Sequence, residues 1–146
     1  MTNISELNTK AAELAKEAGH RYTTGRQQIV EALNQLSKPV SIEEILETDS
    51  SLAQSSVYRN IEALKEAGVV KAIAAGSDTT RFELSDTLSH HHHHMICNNC
   101  NSINGFELSA KLEAALHKEL DKAARRSGFS SESHILDIHG LCGSCS

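Results

Sequence analysis

The chain has 146 residues, a formal net charge of −5, 39% apolar residues and only five aromatics, two Tyr and three Phe. One ordinary domain or two small ones fit that length, and the core must be aliphatic. No apolar run reaches the roughly 18–20 residues of a membrane span, and the opening MTNISELNTKAAELAKE lacks the apolar stretch of a signal peptide, so a cytoplasmic protein with no membrane partner is expected.

Residues 5–18 predict a helix with Leu7, Ala11, Leu14, Ala15 and Ala18 on one face and Gly19 as its stop. After the polar link His20-Arg21-Tyr22, Thr23 or Thr24 caps a second helix to about Leu36, with Ile29, Val30, Leu33 and Leu36 at helical spacing. Lys38-Pro39 ends it. Ser41-Ile42-Glu43-Glu44 has the capping-box pattern and opens a short third helix to about Glu47. Ser55 or Ser56 then caps a fourth helix, in which Val57, Ile61 and Leu64 face inward and Gly68 is the stop. Two apolar runs, Val69 to Ala74 and Thr80 to Leu84, are joined by Ala75-Gly76-Ser77-Asp78 as a hairpin. Helix, short helix, turn, helix and hairpin in this order describe a winged helix-turn-helix with the fourth helix in the recognition position.

A polar linker, residues 85–89, leads to a different pattern. Met95 to Cys97 and Ile103 to Leu108 read as strands, Ser109 to Ser127 as an amphipathic helix (Leu112, Leu116, Leu120, Ala123), and His134 to His139 as a third strand. The expected fold class is therefore α+β. A winged-helix domain occupies 1–84, a hinge linker 85–89, and a small α/β domain 90–146.

The unusual chemistry lies in that last part. Five consecutive histidines, His90 to His94, run into Cys97-x-x-Cys100, and a second Cys-x-x-Cys, Cys142 to Cys145, closes the sequence. All four cysteines are thus paired. Two such pairs supply the four thiolates of a closed tetrahedral zinc site, and in a reducing compartment this competes with a redox dithiol or with free cysteines. The histidine run reads either as a tag or solvated accident, or as a ligand strand. Because side chains alternate faces along a strand, His92 and His94 point one way and His91 and His93 the other, so one strand serves two sites.

The stretches SSVYRNIEALKEAGVV, TTRFEL, HHHHHMICNNC and HGLCGSC together resemble the ferric uptake regulator superfamily, which includes iron, zinc, manganese, nickel and peroxide sensors. The resemblance covers nearly the whole chain. It implies a homodimeric repressor whose winged helix binds a palindromic double-stranded operator and whose C-terminal domain dimerises and carries metal. By that resemblance Cys97, Cys100, Cys142 and Cys145 hold structural Zn2+. A hinge sensing site takes Glu83, His92 and His94, and a second regulatory site takes His91, His93 and His134 with Glu113, Glu107 being the alternative carboxylate. The family's hinge site commonly has a further histidine where this chain has Pro39, so either water completes the site or another imidazole does, His20 being the nearest candidate.

On the recognition helix, Tyr58 and Arg59 are expected at the groove and phosphates, with Ser55, Ser56 and Asn60 adding hydrogen bonds. The resemblance puts Arg21, Tyr22 and Arg26 on the DNA backbone. Residues 1–88 carry 9 Lys and Arg against 13 Asp and Glu, so DNA contact must rest on a few placed cations and not on a broad positive field. The regulatory divalent metal is Zn2+, Fe2+, Mn2+ or Ni2+, since nitrogen and oxygen ligands suit all four; zinc or iron is slightly favoured. The competing functions are a peroxide-sensing Fe- or Mn-dependent repressor and a metal-storage or delivery protein without DNA binding. A zinc hydrolase is disfavoured because no general base is placed beside an open metal site, so no enzyme is expected.

Overall fold

The computed structural model describes residues 3–76 and 80–146. Four helices come first: α1 (Ile4–Glu17), α2 (Thr24–Leu36), α3 (Ile42–Thr48) and α4 (Gln54–Glu66). Asn3 and Thr23 cap α1 and α2 through their side chains, and Ser41 with Glu44 forms the full capping box at α3. Helix α4 departs from expectation. It begins at Gln54 after Ala53, which offers no side-chain cap, so Ser55 and Ser56 lie exposed in its first turn instead of capping it.

The antiparallel hairpin β1 (Val70–Ala74) and β2 (Thr80–Leu84) follows, in register from Val70 opposite Leu84 to Ala74 opposite Thr80. Ser77 and Asp78 of the expected turn lie outside the described residues. Val40 adds a one-residue bridge to Phe82, with its N–H donating to the Phe82 carbonyl at 2.9 Å. One core, aliphatic except for Phe82, joins these elements: Leu7 and Ala11 from α1, Ile29, Val30 and Leu33 from α2, Ile45 from α3, Val57, Ile61 and Leu64 from α4, and Val70, Phe82 and Leu84 from the hairpin. Ala18, expected on the inner face of α1, is exposed because it is already the C-cap.

The second unit is a three-stranded sheet in the order β4-β3-β5, built from β3 (His93–Cys97), β4 (Ile103–Phe106) and β5 (Asp137–Gly140). β3 pairs antiparallel with β4 and parallel with β5, and α5 (Ala110–Arg126) makes the crossover. Strand β3 starts two residues ahead of Met95, and β4 stops at Phe106 because Ser109 already caps α5. β5 starts at Asp137 and not at His134; His134 instead turns toward Glu113, and pairing begins with His94 opposite Asp137.

Two features tie the units together. Ile73 and Ala75 of the hairpin segment pack with Ile96 and Ile103 of the second sheet. Residues 85–89 are a turn anchored by Leu88, which is buried in the first core and donates its N–H to the Ser85 carbonyl at 2.9 Å. By contrast α5 buries none of its residues in the single chain; Leu112 and Leu120 on its apolar stripe are 53% and 38% exposed. No helix among the described residues is long and apolar enough to cross a membrane.

Candidate metal centres and nucleic-acid face

Two tight turns present the sulfurs. The first follows β3, where the Asn101 N–H donates to the Cys97 carbonyl at 3.0 Å; the second is C-terminal, where the Cys145 N–H donates to the Cys142 carbonyl at 3.0 Å. Parallel pairing of β3 with β5 carries both turns to the same sheet end, and all four Sγ atoms lie within 4.8 Å of one another. A tetrahedron with Zn–S bonds of about 2.3 Å has S···S edges of about 3.8 Å. Cys100 Sγ and Cys142 Sγ are 3.8 Å apart and the other pairs lie within 4.8 Å, so four sulfurs gather about one point as a donor set of the kind zinc takes.

The local field favours thiolate on the first pair. Backbone N–H groups of Cys100, Cys142 and Asn99 lower Cys97 to about 6, and Ser102 lowers Cys100. Asn99 Nδ2 donates to Cys145 Sγ, but the other three sulfurs crowd that thiol and push it up to about 11. Such crowding of like groups is relieved when a cation sits among them.

The histidine run divides as alternation requires, including His91 and His92, which precede β3. One set is Glu83 with His92 and His94; the other is His91, His93, Glu113 and His134. In the first, Glu83 Oε2 is 3.0 Å from His92 Nε2 and Oε1 is 2.8 Å from His94 Nε2. Glu83 comes from β2 and the two imidazoles from β3 and the residues before it, so this set spans the two units. Burial works against the Glu83 charge, but hydrogen bonds from His94 and His92 outweigh it and hold the carboxyl below its ordinary range. Burial likewise works against a charged His92, yet the His90 carbonyl and Glu83 raise it.

In the second set Glu113 is the hub. Its Oε2 is 2.8 Å from His93 Nε2, and its Oε1 is 2.9 Å from His91 Nε2 and 3.1 Å from His134 Nε2. The hydrogen bond from His93 is the main reason its carboxyl is lowered. Glu113 lies in the first turn of α5, where Ser109 caps the helix and fixes its start. Glu107 is exposed and does not join the set.

His20 also lies elsewhere. Its Nε2 is 2.9 Å from Glu66 Oε2 at the end of α4, so it does not complete the Glu83 set. Pro39 lines a cleft with Glu83, His90 and His92. Three charged groups that the sequence pattern did not single out touch these sets. Lys71 Nζ is 3.3 Å from Glu83 Oε1 and 2.8 Å from Asp86 Oδ1. Asp86 Oδ2 accepts from His91 Nδ1 at 2.8 Å, and Asp137 Oδ1 is 3.7 Å from His94 Nδ1. Only strand register and the fold of the linker bring them there, so no spacing signal announces them.

On α4, Tyr58 is half exposed and Arg59 exposed, off the face that buries Val57, Ile61 and Leu64. Asn60 and Arg26 are instead bonded to each other, Arg26 Nε donating to Asn60 Oδ1 at 3.1 Å, while Arg26 Nη1 donates to the Arg21 carbonyl at 2.6 Å. Tyr22 is partly buried and donates its hydroxyl to Asn8; burial first, and then Glu31, raises its pKa. Arg26, Asn60 and Tyr22 therefore shape the α1–α2–α4 surface, whereas Arg21, Ser55, Ser56, Tyr58 and Arg59 are exposed on it.

The Ferric uptake regulator family model matches residues 17–139. The peroxide operon regulator of Bacillus subtilis is 33% identical over 141 residues, 94% of this chain and 92% of its own length. The ferric uptake regulation protein of Campylobacter jejuni is 28% identical over 139 residues, 91% of this chain and 84% of its own. The structure of the Helicobacter pylori ferric uptake regulator, with three functional metal binding sites, superposes with a TM-score of 0.74 at 20% identity, over 99% of this chain and 94% of that one. That likeness shows the fold. With the family model spanning most of its length, the chain belongs to the ferric uptake regulator family of transcriptional regulators.

Proposed function

We propose that the protein is a metal-dependent repressor in which Glu83, His92 and His94 sense a divalent ion, Zn2+ or Fe2+, and thereby set operator binding by a homodimer. One observation carries this reading: the Glu83 set takes its carboxylate from the wing strand β2 and its imidazoles from the run entering β3. A bound ion supplies the charge that lets these three donors share one centre. Glu83 is then tied to His92 and His94, which restrains the winged helix against the second unit and fixes the spacing between the two recognition helices of a dimer. A two-fold dimer docks only where that spacing matches successive major-groove half-sites. Linkage requires that operator DNA raise metal affinity in return.

Residues 1–84 serve as the reading head in this scheme, 85–89 as the hinge, and 90–146 as the dimerising and metal-holding part. The four cysteines hold a structural Zn2+, and His91, His93, Glu113 and His134 form a second regulatory site. Arg59, Tyr58, Arg21, Ser55 and Ser56 meet the DNA. The test is an electrophoretic mobility shift on the promoter of the protein's own gene, with and without Zn2+, Fe2+ and Mn2+. Metal-stimulated binding is expected in the wild type and its loss in the His92→Ala, His94→Ala double variant. Equal binding with and without metal, or a full metal response in the double variant, defeats the reading.

A second reading, peroxide sensing through oxidation of a ligand at an Fe2+-loaded site, is favoured by the 33% identity to the Bacillus subtilis peroxide operon regulator. Oxygen addition to His92 or His94 after peroxide treatment, read by mass spectrometry, is its signature.

A further inference from the structure

A ligating histidine gives one ring nitrogen to the ion and needs an oxygen on the other, which fixes the tautomer and aims the ring. His92 finds its oxygen locally, donating Nδ1–H to the His90 carbonyl at 2.7 Å. His91 and His94 do not. The far nitrogen of His91 meets Asp86 Oδ2 at 2.8 Å. The far nitrogen of His94 faces Asp137 Oδ1 at 3.7 Å, and that oxygen is buried with no hydrogen-bond partner among the described residues. Buried carboxylate oxygens seldom stay unpaired, and the parallel register that sets His94 opposite Asp137 holds His94 Nδ1 3.7 Å from that oxygen, a short ring rotation from a hydrogen bond.

The sources of these two carboxylates are crossed. Asp137 lies three residues beyond His134, a member of the second set, yet faces a histidine of the Glu83 set. Asp86 lies three residues beyond Glu83, yet holds a histidine of the second set. Lys71 spans both, touching Glu83 and Asp86. We propose that Asp137 and Asp86 are crossed positioning residues: each follows a ligand of one set and orients a histidine of the other, so that loading either set prepares its neighbour. Fixing His134 draws the start of β5, and with it Asp137, against His94. Fixing Glu83 holds the turn that carries Asp86 against His91. The coupling is positive and passes through backbone segments of three residues.

This rests on the reading above that both sets hold metal, and the test separates the two. Full-length protein with Zn2+ on its cysteines is titrated with Co2+, whose d–d absorption reports the nitrogen and oxygen sites. Absence of Co2+ uptake in the wild type, or uptake at the Glu83 set surviving His92→Ala plus His94→Ala, defeats the site reading itself. With wild-type uptake intact, Asp137→Asn is expected to weaken the Glu83 set by about 10–100-fold and Asp86→Asn the second set by a similar factor. The d–d bands of the affected set shift in each case.

Deleting the second set with His93→Ala is expected to weaken Co2+ at the Glu83 set, and that loss disappears in an Asp137→Asn background. Unchanged affinity and spectrum in the aspartate variants, or coupling that persists in Asp137→Asn, overturns the crossed arrangement. Thermal melts of the metal-free variants control for folding, with Asp137→Ser as a second substitution. If both Asp137 variants melt far below the wild type without metal, the residue is structural and the proposal fails.

Discussion

Glu83 is buried, at 6% exposure, and still holds its proton less tightly than an ordinary carboxyl, because two imidazoles face it. That balance dictates a pH signature in chelator-treated protein. The stabilisation from Glu83, whose pKa is lowered, is present above its ordinary 4.5 and is lost as pH falls through the folded value. The stabilisation from His92, whose pKa is raised, is complete below its ordinary 6.5 and is lost as pH rises through the folded value. The pair is strongest between about 4.5 and 6.5. Thermal melts across pH check this, and Glu83→Gln is expected to flatten both limbs; a variant profile parallel to the wild type contradicts the pairing. With metal bound, the same groups must give up their protons to the ion, so affinity is expected to fall on acidification.

Helix α4 has two faces with different duties, and each makes its own forecast. The inner face is anchored by Ile61, 1% exposed in the shared core. Ile61→Ala is expected to cost about 2–5 kcal/mol in urea denaturation, with an unchanged slope if only the native packing is lost. The outer face presents Arg59 exposed and without a described partner side chain, which suits the proposed contact with a phosphate or base edge. Arg59→Ala is expected to weaken operator binding while leaving the melt within about 0.5 kcal/mol, as for ordinary surface changes. If Arg59 meets phosphate, the slope of log affinity against log salt falls by about 0.9; if it reads a base, discrimination relaxes at one operator position. Retained affinity with an unchanged salt slope removes it from the interface. The acidic balance of the whole chain makes these few cations matter more, since there is no general positive field to compensate.

Across the molecule the asymmetry of burial is the main clue to assembly. The first unit has a complete aliphatic core, whereas α5 buries nothing and leaves Leu112 and Leu120 exposed, with Met95 and Ile138 exposed on the sheet. An amphipathic helix whose apolar stripe finds no cover in its own chain calls for a partner surface. In the dimer proposed here that cover is a second copy. Leu112→Glu combined with Leu120→Glu is expected to shift sedimentation from dimer to monomer while the winged-helix core stays folded. A dimer of undiminished stability in that variant places the interface elsewhere. Loss of the dimer is expected to weaken binding to a palindrome far more than to a half-site, because two-fold docking is lost while each reading head survives.

Periodicity and spacing by themselves determined the element order, the aliphatic face of each helix, the two Cys-x-x-Cys pairs and the division of the histidine run into two faces. These are local properties: helical spacing, capping residues, Cys-x-x-Cys turns and strand alternation are all written in near neighbours. What only the tertiary structure decided were the partners that arrive from far along the chain. Glu113 was chosen over Glu107 because the Ser109 cap sets where α5 begins and which carboxylate turns inward. His20 pairs with Glu66, Tyr22 with Asn8 and Arg26 with Asn60, since side-chain hydrogen bonds across helices have no sequence period. Lys71, Asp86 and Asp137 emerged for the same reason: their place beside the imidazoles follows from strand register and a buried turn, which exist only once β1, β2, β3 and β5 have been assembled.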